Sequence, residues 1–200
     1  VLLFPMTPDG EKLARAWGKA AATVPPWLQQ GLDGLVLVEG DARTYATFGH
    51  LARTLRALEP AVGVRTIAGV NSFTAACASR NVPFSEQDDT VAIVPAAYGV
   101  EAVDRLLPEF DTLVLMKVKP LLDQLIAWLQ ARGLLEQALF IERVGAPDER
   151  SFAGGELLQL LGTKVSYLSL LLVRNPQRVR GERIKGCLKK TPATALEGEE

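Results

Sequence analysis

GLVLVEGDARTYATFGHL, residues 34–51, is the stretch that decides which fold the sequence predicts. An aliphatic run at 32–38 leads into a turn in which Glu39 and Asp41 flank Gly40. The run is too short for a typical helix and predicts a strand buried on both faces. Residues 45–58, which follow the turn, predict a helix. Strand, turn and helix in this order are typical of an α/β protein.

The same order of elements recurs along the chain. A second small-residue turn, AGVNS at 68–72, repeats the layout of the first, with Asn71 or Ser72 as the N-cap of the next helix. Such alternation predicts an α/β fold with largely parallel strand pairing. Further strands are predicted at 64–67, 91–94, 112–118, 138–144 and 166–173, and further helices at 11–24, 73–79, 100–107, 121–132 and 155–161.

The alternation of strands and helices starts again after PAAYG at 95–99, which indicates a domain junction. We therefore predict an N-terminal α/β domain over 1–94 and a C-terminal α/β domain over 95–176. Residues 177–200, basic and then acidic, predict a tail with weak structure.

Composition excludes several classes of function. The chain has 48% hydrophobic residues, 22% charged residues and a net charge of −1, so it lacks the basic face that nonspecific nucleic-acid binding requires. Its two cysteines form no CxxC pair, which argues against a disulfide framework or a zinc site and favours the cytoplasm. No apolar run approaches the roughly 20 residues of a membrane span, and no signal peptide is recognisable. We therefore expect no nucleic-acid or membrane partner.

The motifs narrow the chemistry further. His50 is the only histidine, which leaves no basis for a histidine metal cluster or a Ser-His-Asp triad, and we predict no metal site. His50 is most simply a structural helix residue, with ligand contact or pH sensing as alternatives. Neither a Walker-type phosphate loop nor a GxGxxG after a strand occurs. The two turns instead place glycines and side-chain oxygens at the ends of strands, where α/β sheets bind ligands.

Asp41 has two compatible interpretations. It is among the residues favoured at a helix N-cap, and the next helix follows shortly after it. Its carboxylate would also attract a ligand that carries ammonium, sulfonium or ribose hydroxyl donors.

Seven collinear stretches carry a resemblance to a known family: FPMT at 4–7, EGDARTYATF at 39–48, AGVNSFTAACA at 68–78, VAIVPAAYG at 91–99, FDTLVLMKV at 110–118, ERVGAPDE at 142–149 and SYLSLLLVR at 166–174. Through them the chain resembles the tetrapyrrole (class III) S-adenosylmethionine-dependent methyltransferases. LMKV, ERVG and the YxSLL strand indicate the branch that acts on carbon 20 of precorrin-2. In this chain GDA replaces the usual GDP, and Ala68-Gly69 replaces the usual PG. The family begins with a strand and a GPGDPE-type loop, which we expect to precede Val1 in the full-length protein.

The resemblance implies the fold and the cofactor. We expect a two-domain tetrapyrrole methylase fold in which each domain is a sheet flanked by helices, with S-adenosylmethionine in the interdomain cleft and the protein usually a homodimer. The expected activity is methylation of precorrin-2, or of its cobalt-containing counterpart, at carbon 20 in cobalamin biosynthesis. The implied cofactor contacts are Gly40, Asp41, Thr44, Asn71, Ser72, Met116, Lys117, Val144 and Gly145. For Met116, packing in the hydrophobic core is the alternative to cofactor contact.

Methyl transfer to an electron-rich carbon requires mainly that donor and acceptor be held in line, and we assign no definite base. Tyr167, on the predicted last strand, and Tyr45 are candidate contacts near the reacting carbon. The alternative for both is a buried tyrosine with a satisfied hydroxyl. Because the implied acceptor is a polycarboxylate, Arg43, Arg143 and Lys164, together with Lys117, are candidate anchors, with solvated surface charge as the alternative.

Two further hypotheses stay open at the level of sequence. One is another branch of the same family that acts on a different tetrapyrrole, such as uroporphyrinogen or another precorrin. The other is a cofactor-binding module without catalysis.

Overall fold

The computed structural model describes residues 2, 4, 5, 7 and 9–181, and the chain divides into two compact units. Unit 1 comprises Val1–Glu86, Ile141–Ser151 and Val165–Leu170, and unit 2 comprises Gln87–Phe140, Phe152–Lys164 and Leu171–Glu200. Both units draw on segments that are distant in sequence. The boundary expected after residue 94 stays a prediction, and the expected tail lies outside the described residues from 182 onward.

The described residues of unit 1 form four helices, α1 (Gly10–Ala22), α2 (Pro25–Leu28), α3 (Phe48–Leu58) and α4 (Ser72–Ser79). Asp9 caps α1, because its carboxylate accepts the amides of the next turn at 3.1 and 3.0 Å. The small side chains of Ala20 and Ala21 on α1 pack with Leu51 and Leu55 on α3, and all four are buried. The helices predicted at 11–24, 45–58 and 73–79 are confirmed, although α3 begins only at Phe48.

The two strands predicted in this unit are not formed, and the burial expected for residues 32–38 is wrong. Residues 32–38 and 64–67 adopt no regular secondary structure. Leu35 is 82% exposed, Leu37 is 83% exposed and Ile67 is 76% exposed. An aliphatic run has a preference for burial, but a strand also needs a neighbour for its backbone hydrogen bonds and a layer over its side chains. The described part of the chain supplies neither to these two segments.

Unit 2 holds most of a five-stranded sheet whose strand order is β1-β2-β5-β3-β4. β1 and β2 pair in parallel, with Val91 opposite Thr112 and Pro95 opposite Met116. The aliphatic run of β2 is completely buried, as expected for a strand that is covered on both faces. The strands are β1 (Val91–Pro95), β2 (Thr112–Met116), β3 (Ala138–Glu142), β4 (Arg150–Ala153) and β5 (Ser169–Arg174).

The strands predicted after residue 90 are confirmed, and so is the mixed α/β fold with flanking helices. Helices α5 (Val100–Leu106) and α6 (Leu122–Ala131) also follow the prediction. The segment predicted as a helix at 155–161 is a 3₁₀ helix over Gly154–Leu160. β4 was not predicted, because its four residues, RSFA, contain no aliphatic run.

Buried side chains of α6 fill the core of unit 2, and a polar contact joins α6 to α5. Leu125, Ile126 and Leu129 are 0% exposed. The indole Nε1–H of Trp128 donates to Asp104 Oδ1 at 2.7 Å, which satisfies the polar atom of a buried ring. No helix within the described residues is long and apolar enough to cross a bilayer.

A cluster of charges in unit 2 fixes the chain beyond β5. Asp111, which is 7% exposed, accepts the Thr90 amide at 2.8 Å and Arg180 Nε at 2.8 Å, and it also pairs with Arg178. Burial alone would raise the pKa of Asp111, but the hydrogen bonds from Thr90, Arg180 and Arg178 outweigh it and hold the pKa well below its ordinary value. A carboxylate with a depressed folded pKa stabilises the fold above about pH 4, and that contribution is lost as the pH falls through the folded pKa.

Replacing Asp111 by asparagine should lower the free energy of unfolding at pH 7 by about 2–4 kcal/mol, because two arginines lose a buried carboxylate partner. The difference from wild type should be constant between about pH 5 and pH 8 and should shrink below about pH 4. Urea unfolding followed by circular dichroism measures both quantities. Glu109→Gln, which removes a nearby exposed carboxylate, is the matched control and should change stability by less than about 0.5 kcal/mol. An Asp111→Asn effect of equal size in acid and at neutral pH would contradict this account.

Candidate functional site

The two glycine-bearing turns of unit 1 lie together, although the strands expected before them are not formed. Asp41 Oδ2 accepts the amide of Gly69 at 3.1 Å, across 28 residues of sequence. Asp41 Oδ1 accepts the amide of Arg43 at 2.9 Å and the hydroxyl of Thr44 at 3.0 Å. One carboxylate therefore closes its own turn and joins it to the other. We call these hydrogen bonds, from Gly69, Arg43 and Thr44 to Asp41, the Asp41 clasp.

Gly40 and Gly69 make this close approach possible. Gly40 has a φ of +75°, in the left-handed region that strains most other residues. A Cβ added to Gly69 would lie 2.0 Å from the carbonyl oxygen of Gly40 and 2.8 Å from its carbonyl carbon. Those atoms belong to the backbone and cannot rotate away. A side chain at Gly69 would therefore push the two turns apart.

The clasp keeps Asp41 ionised. The hydrogen bond from the Gly69 amide, followed by those from Arg43 and Thr44, lowers the pKa of Asp41 from its ordinary value of 3.8. The clasp is therefore intact at neutral pH, and its contribution to stability is lost only as the pH falls through the lowered pKa. The interpretation of Asp41 as the cap of the next helix is wrong, because α3 begins at Phe48 with Thr47 at its N-cap.

Asn71 has an unused acceptor at the end of the second turn. It is the N-cap residue of α4, as predicted, with φ −64° and ψ 151°, but its side chain makes no capping hydrogen bond. Its Oδ1 is buried and has no hydrogen-bond partner within the described residues. A buried acceptor without a partner costs about 1–3 kcal/mol, so such a group calls for an explanation. A ligand that donates an N–H or O–H to Asn71 would supply one. Ser72, the first residue of α4, is exposed beside it.

The ERVG motif forms another turn of unit 1 and has strained backbone. Arg143 has a φ of +54° and Gly145 a φ of +78°. The amide of Arg143 donates to the carbonyl of Leu168 at 2.8 Å, and the amide of Gly145 donates to Glu149 Oε2 at 2.7 Å. A non-glycine residue in the left-handed region costs on the order of 1–3 kcal/mol, and these hydrogen bonds hold it there. Val144, between the two, is half-buried.

Carboxylates surround this turn. Arg143 Nε donates to Asp148 at 2.6 Å. This hydrogen bond is the main cause that raises the pKa of Arg143, with smaller electrostatic contributions from Glu142 and Glu39. Because Glu39 directly precedes Gly40, the ERVG turn lies within electrostatic range of the first glycine turn. Arg143 already has a carboxylate partner, so a ligand carboxylate would compete with Asp148.

Sequence reasoning missed Glu142 as a residue that organises this region. Its side chain is 3% exposed and pairs with Arg150, and its Oε2 accepts the amide of Ser166 at 2.6 Å. It thereby ties the ERVG turn to the segment before β5. The sequence did offer a signal for this role of Glu142, because an acidic residue ends an aliphatic run and has arginines nearby at 143 and 150.

Three predicted site residues belong to unit 2. Met116 is half-buried at the end of β2, opposite Pro95. Lys117 follows it with a φ of +57° and an exposed side chain. Lys164 is also exposed. The roles assigned to these three residues stay predictions.

The candidate tyrosines are accessible rather than buried. Tyr45 and Tyr167 are each 55% exposed, so the alternative of a buried, satisfied tyrosine is wrong for both. Tyr167 precedes β5, which begins at Ser169, instead of lying on it. Their catalytic role stays a prediction.

His50 stacks on Trp17, with ring centroids 4.1 Å apart and planes inclined by 9°, and so packs α3 against α1.

The chain is similar to named methyltransferases. A probable cobalt-precorrin-2 C(20)-methyltransferase of Methanocaldococcus jannaschii is 31% identical over 185 residues, which cover 88% of this chain and 73% of that protein. The cobalt-precorrin-2 C(20)-methyltransferase of Salmonella typhimurium is 28% identical over 147 residues, which cover 74% of this chain and 61% of that protein.

Solved structures give the same fold. A cobalt precorrin-4 methyltransferase superposes with a TM-score of 0.62 at 16% identity, over 84% of this chain and 72% of that one. A uroporphyrin-III C-methyl transferase from Thermus thermophilus, complexed with S-adenyl homocysteine, gives 0.54 at 21% identity, over 82% of this chain and 73% of that one. The family model described as tetrapyrrole (corrin/porphyrin) methylases matches residues 1–157. This chain therefore belongs to the tetrapyrrole methylases.

Proposed function

We propose that this chain transfers the methyl group of S-adenosylmethionine to carbon 20 of precorrin-2, or of its cobalt-containing counterpart, in cobalamin biosynthesis. Relatives named for this activity support the proposal, one of them at 31% identity over 88% of the chain. The structural observation that carries it is the Asp41 clasp. The clasp holds together the two glycine turns to which the family resemblance assigns the cofactor.

The residues around the clasp fit this cofactor. The buried, unpartnered Oδ1 of Asn71 suits an N–H or hydroxyl donor, and the cofactor carries both kinds of group. Gly40 has no side chain that would keep a ligand away from the backbone. When bound, the cofactor supplies a methyl group on a positively charged sulfonium. The residues that would hold it are Gly40, Asp41, Thr44, Asn71, Ser72, Met116, Lys117, Val144 and Gly145.

Apart from holding the cofactor, the protein has to position the methyl acceptor. Arg43 is the best-placed anchor for an acceptor carboxylate, because its guanidinium is exposed and lies 6.0 Å from the Phe48 ring without a carboxylate partner among the described residues. Arg143 and Lys164 are further anchors, of which Arg143 would exchange Asp148 for the ligand. Tyr45 and Tyr167 are accessible enough to contact the acceptor.

The proposal includes a homodimer in the cytoplasm, which light scattering and cell fractionation would test.

The proposed function is tested first by binding and then by turnover. Calorimetric titration with S-adenosylhomocysteine should show one site per chain. Assays with a ¹³C-methyl donor should then place the label at carbon 20 of precorrin-2 or of cobalt-factor II, read by NMR. Absence of binding by the full-length protein would reject the methyltransferase assignment. Binding without transfer to either acceptor would instead indicate another branch of the family or a noncatalytic module.

Gly69→Ala should weaken S-adenosylhomocysteine binding at least about tenfold, because a Cβ there would force the two turns apart. Calorimetry measures the dissociation constant, and circular dichroism verifies that the variant is folded. Gly63→Ala is the matched control, since a Cβ at Gly63 meets no atom within 4 Å. Equal affinities for the two variants would show that the cofactor does not depend on the clasp.

Asn71→Ala should have opposite effects on stability and on binding. Removal of a buried, unpartnered acceptor should leave the free energy of unfolding of the ligand-free protein unchanged or raise it by about 1 kcal/mol. Loss of the proposed hydrogen bond should weaken S-adenosylhomocysteine binding about tenfold, which corresponds to about 1.4 kcal/mol. Thermal unfolding and calorimetry measure the two quantities. Reduced stability with unchanged affinity would mean that Asn71 has only a structural role.

A further inference from the structure

One face of α3 forms a groove lined by arginines. Gly49, Ala52, Arg53 and Arg56 follow the i, i+3, i+4, i+7 spacing of a single helical stripe. They line a surface groove of about 340 Å³, and Arg43, from the turn before the helix, also lines it. Gly49 and Ala52 project little beyond the backbone, so they leave the floor of the groove open between longer side chains. We call this feature the α3 groove.

The charge of the α3 groove is not balanced by the protein. The side chains of Arg43, Arg53 and Arg56 are exposed, and within the described residues none of them forms an ion pair. α3 itself, FGHLARTLRAL, contains no acidic residue. Several other arginines are paired, for example Arg15 with Glu11, Arg132 with Asp104 and Arg178 with Asp111. Three unpaired guanidiniums around one groove therefore distinguish this face.

Like charges lie close together on this face. Arg53 and Arg56 are at i and i+3, so their guanidiniums are neighbours on the helix surface and repel each other. Arg43 adds a third positive charge, and its guanidinium lies over the Phe48 ring, 6.0 Å from the ring centroid. A bound anion would turn this repulsion into attraction.

We propose that the α3 groove binds a ligand with several closely spaced oxyanion groups, carboxylates or phosphates. A guanidinium forms bidentate hydrogen bonds with either group, and three of them match a multiply charged ligand better than a single anion. The volume of about 340 Å³ lies at the lower end of the range for small-molecule sites, so the groove accommodates acidic side chains or a small polyanion rather than a whole macrocycle. The acid side chains of a tetrapyrrole acceptor are one source of this chemistry, and that part of the inference rests on the proposed function. A free polyanion is the other source.

The test compares two double variants by calorimetry. Arg53→Gln/Arg56→Gln removes two charges from the groove, and Arg65→Gln/Arg80→Gln removes two exposed charges from elsewhere in unit 1. The probes are uroporphyrin, as a stable octacarboxylate tetrapyrrole, and citrate and pyrophosphate, as free polyanions. The groove variant should weaken binding at least tenfold and reduce its salt dependence, whereas the control variant should change it less than twofold.

The probes distinguish the sources. Groove-dependent binding of uroporphyrin alone assigns the groove to acceptor side chains, and groove-dependent binding of citrate or pyrophosphate assigns it to a free polyanion. Equal weakening by both double variants, or no binding of any probe, would overturn the proposal. S-adenosylhomocysteine is titrated in parallel and should bind the groove variant as it binds wild type. If S-adenosylhomocysteine fails to bind wild type while anion binding depends on the groove, the proposed function fails and the anion site stands.

Discussion

The hydrogen bond between the Asp41 carboxylate and the Gly69 amide is the contact on which the candidate site depends. It joins two turns separated by 28 residues in a part of the chain where the described residues form no sheet. In a parallel sheet, ladder hydrogen bonds would align the ends of strands. Here one side chain provides the connection, and the absence of a Cβ at Gly69 allows it. Asn71, with its buried and unpartnered Oδ1, lies two residues beyond this contact.

The sequence predicted unit 2 well because its signals are local. The run LVL at 113–115 is continuously aliphatic, and its complete burial agrees with that pattern. The aliphatic run at 32–38 carries the same local signal, yet Leu35 and Leu37 are more than four-fifths exposed. The two runs differ in which other segments of the chain pack beside them, and the residue pattern of a single run does not carry that information. β4 was missed for the converse reason, since its pairing with β3 is set by the sheet and not by its own four residues.

The candidate site shows the same division between local and long-range information. Glycine and carboxylate at 40 and 41 marked a turn, and the structure places a turn there. The partner of Asp41 could not be read from the sequence, because helix capping, a tight turn and a long-range hydrogen bond all use the same carboxylate. Arg43 and Arg143 likewise appeared equivalent as anchors. The structure separates them, since Arg143 is paired with Asp148 whereas Arg43 lines an open groove.

The electrostatics constrain how the proposed reaction depends on pH. Asp41 has a lowered pKa, so the clasp does not titrate near neutrality. His50, the only histidine of the sequence, is stacked on Trp17 as part of the packing between α1 and α3. The ionisation of Asp41, and with it the hydrogen bonds of the clasp, is therefore constant across the neutral range. If turnover changes between about pH 6 and pH 8, where a carboxylate of lowered pKa stays ionised, the cause lies in groups other than the Asp41 carboxylate.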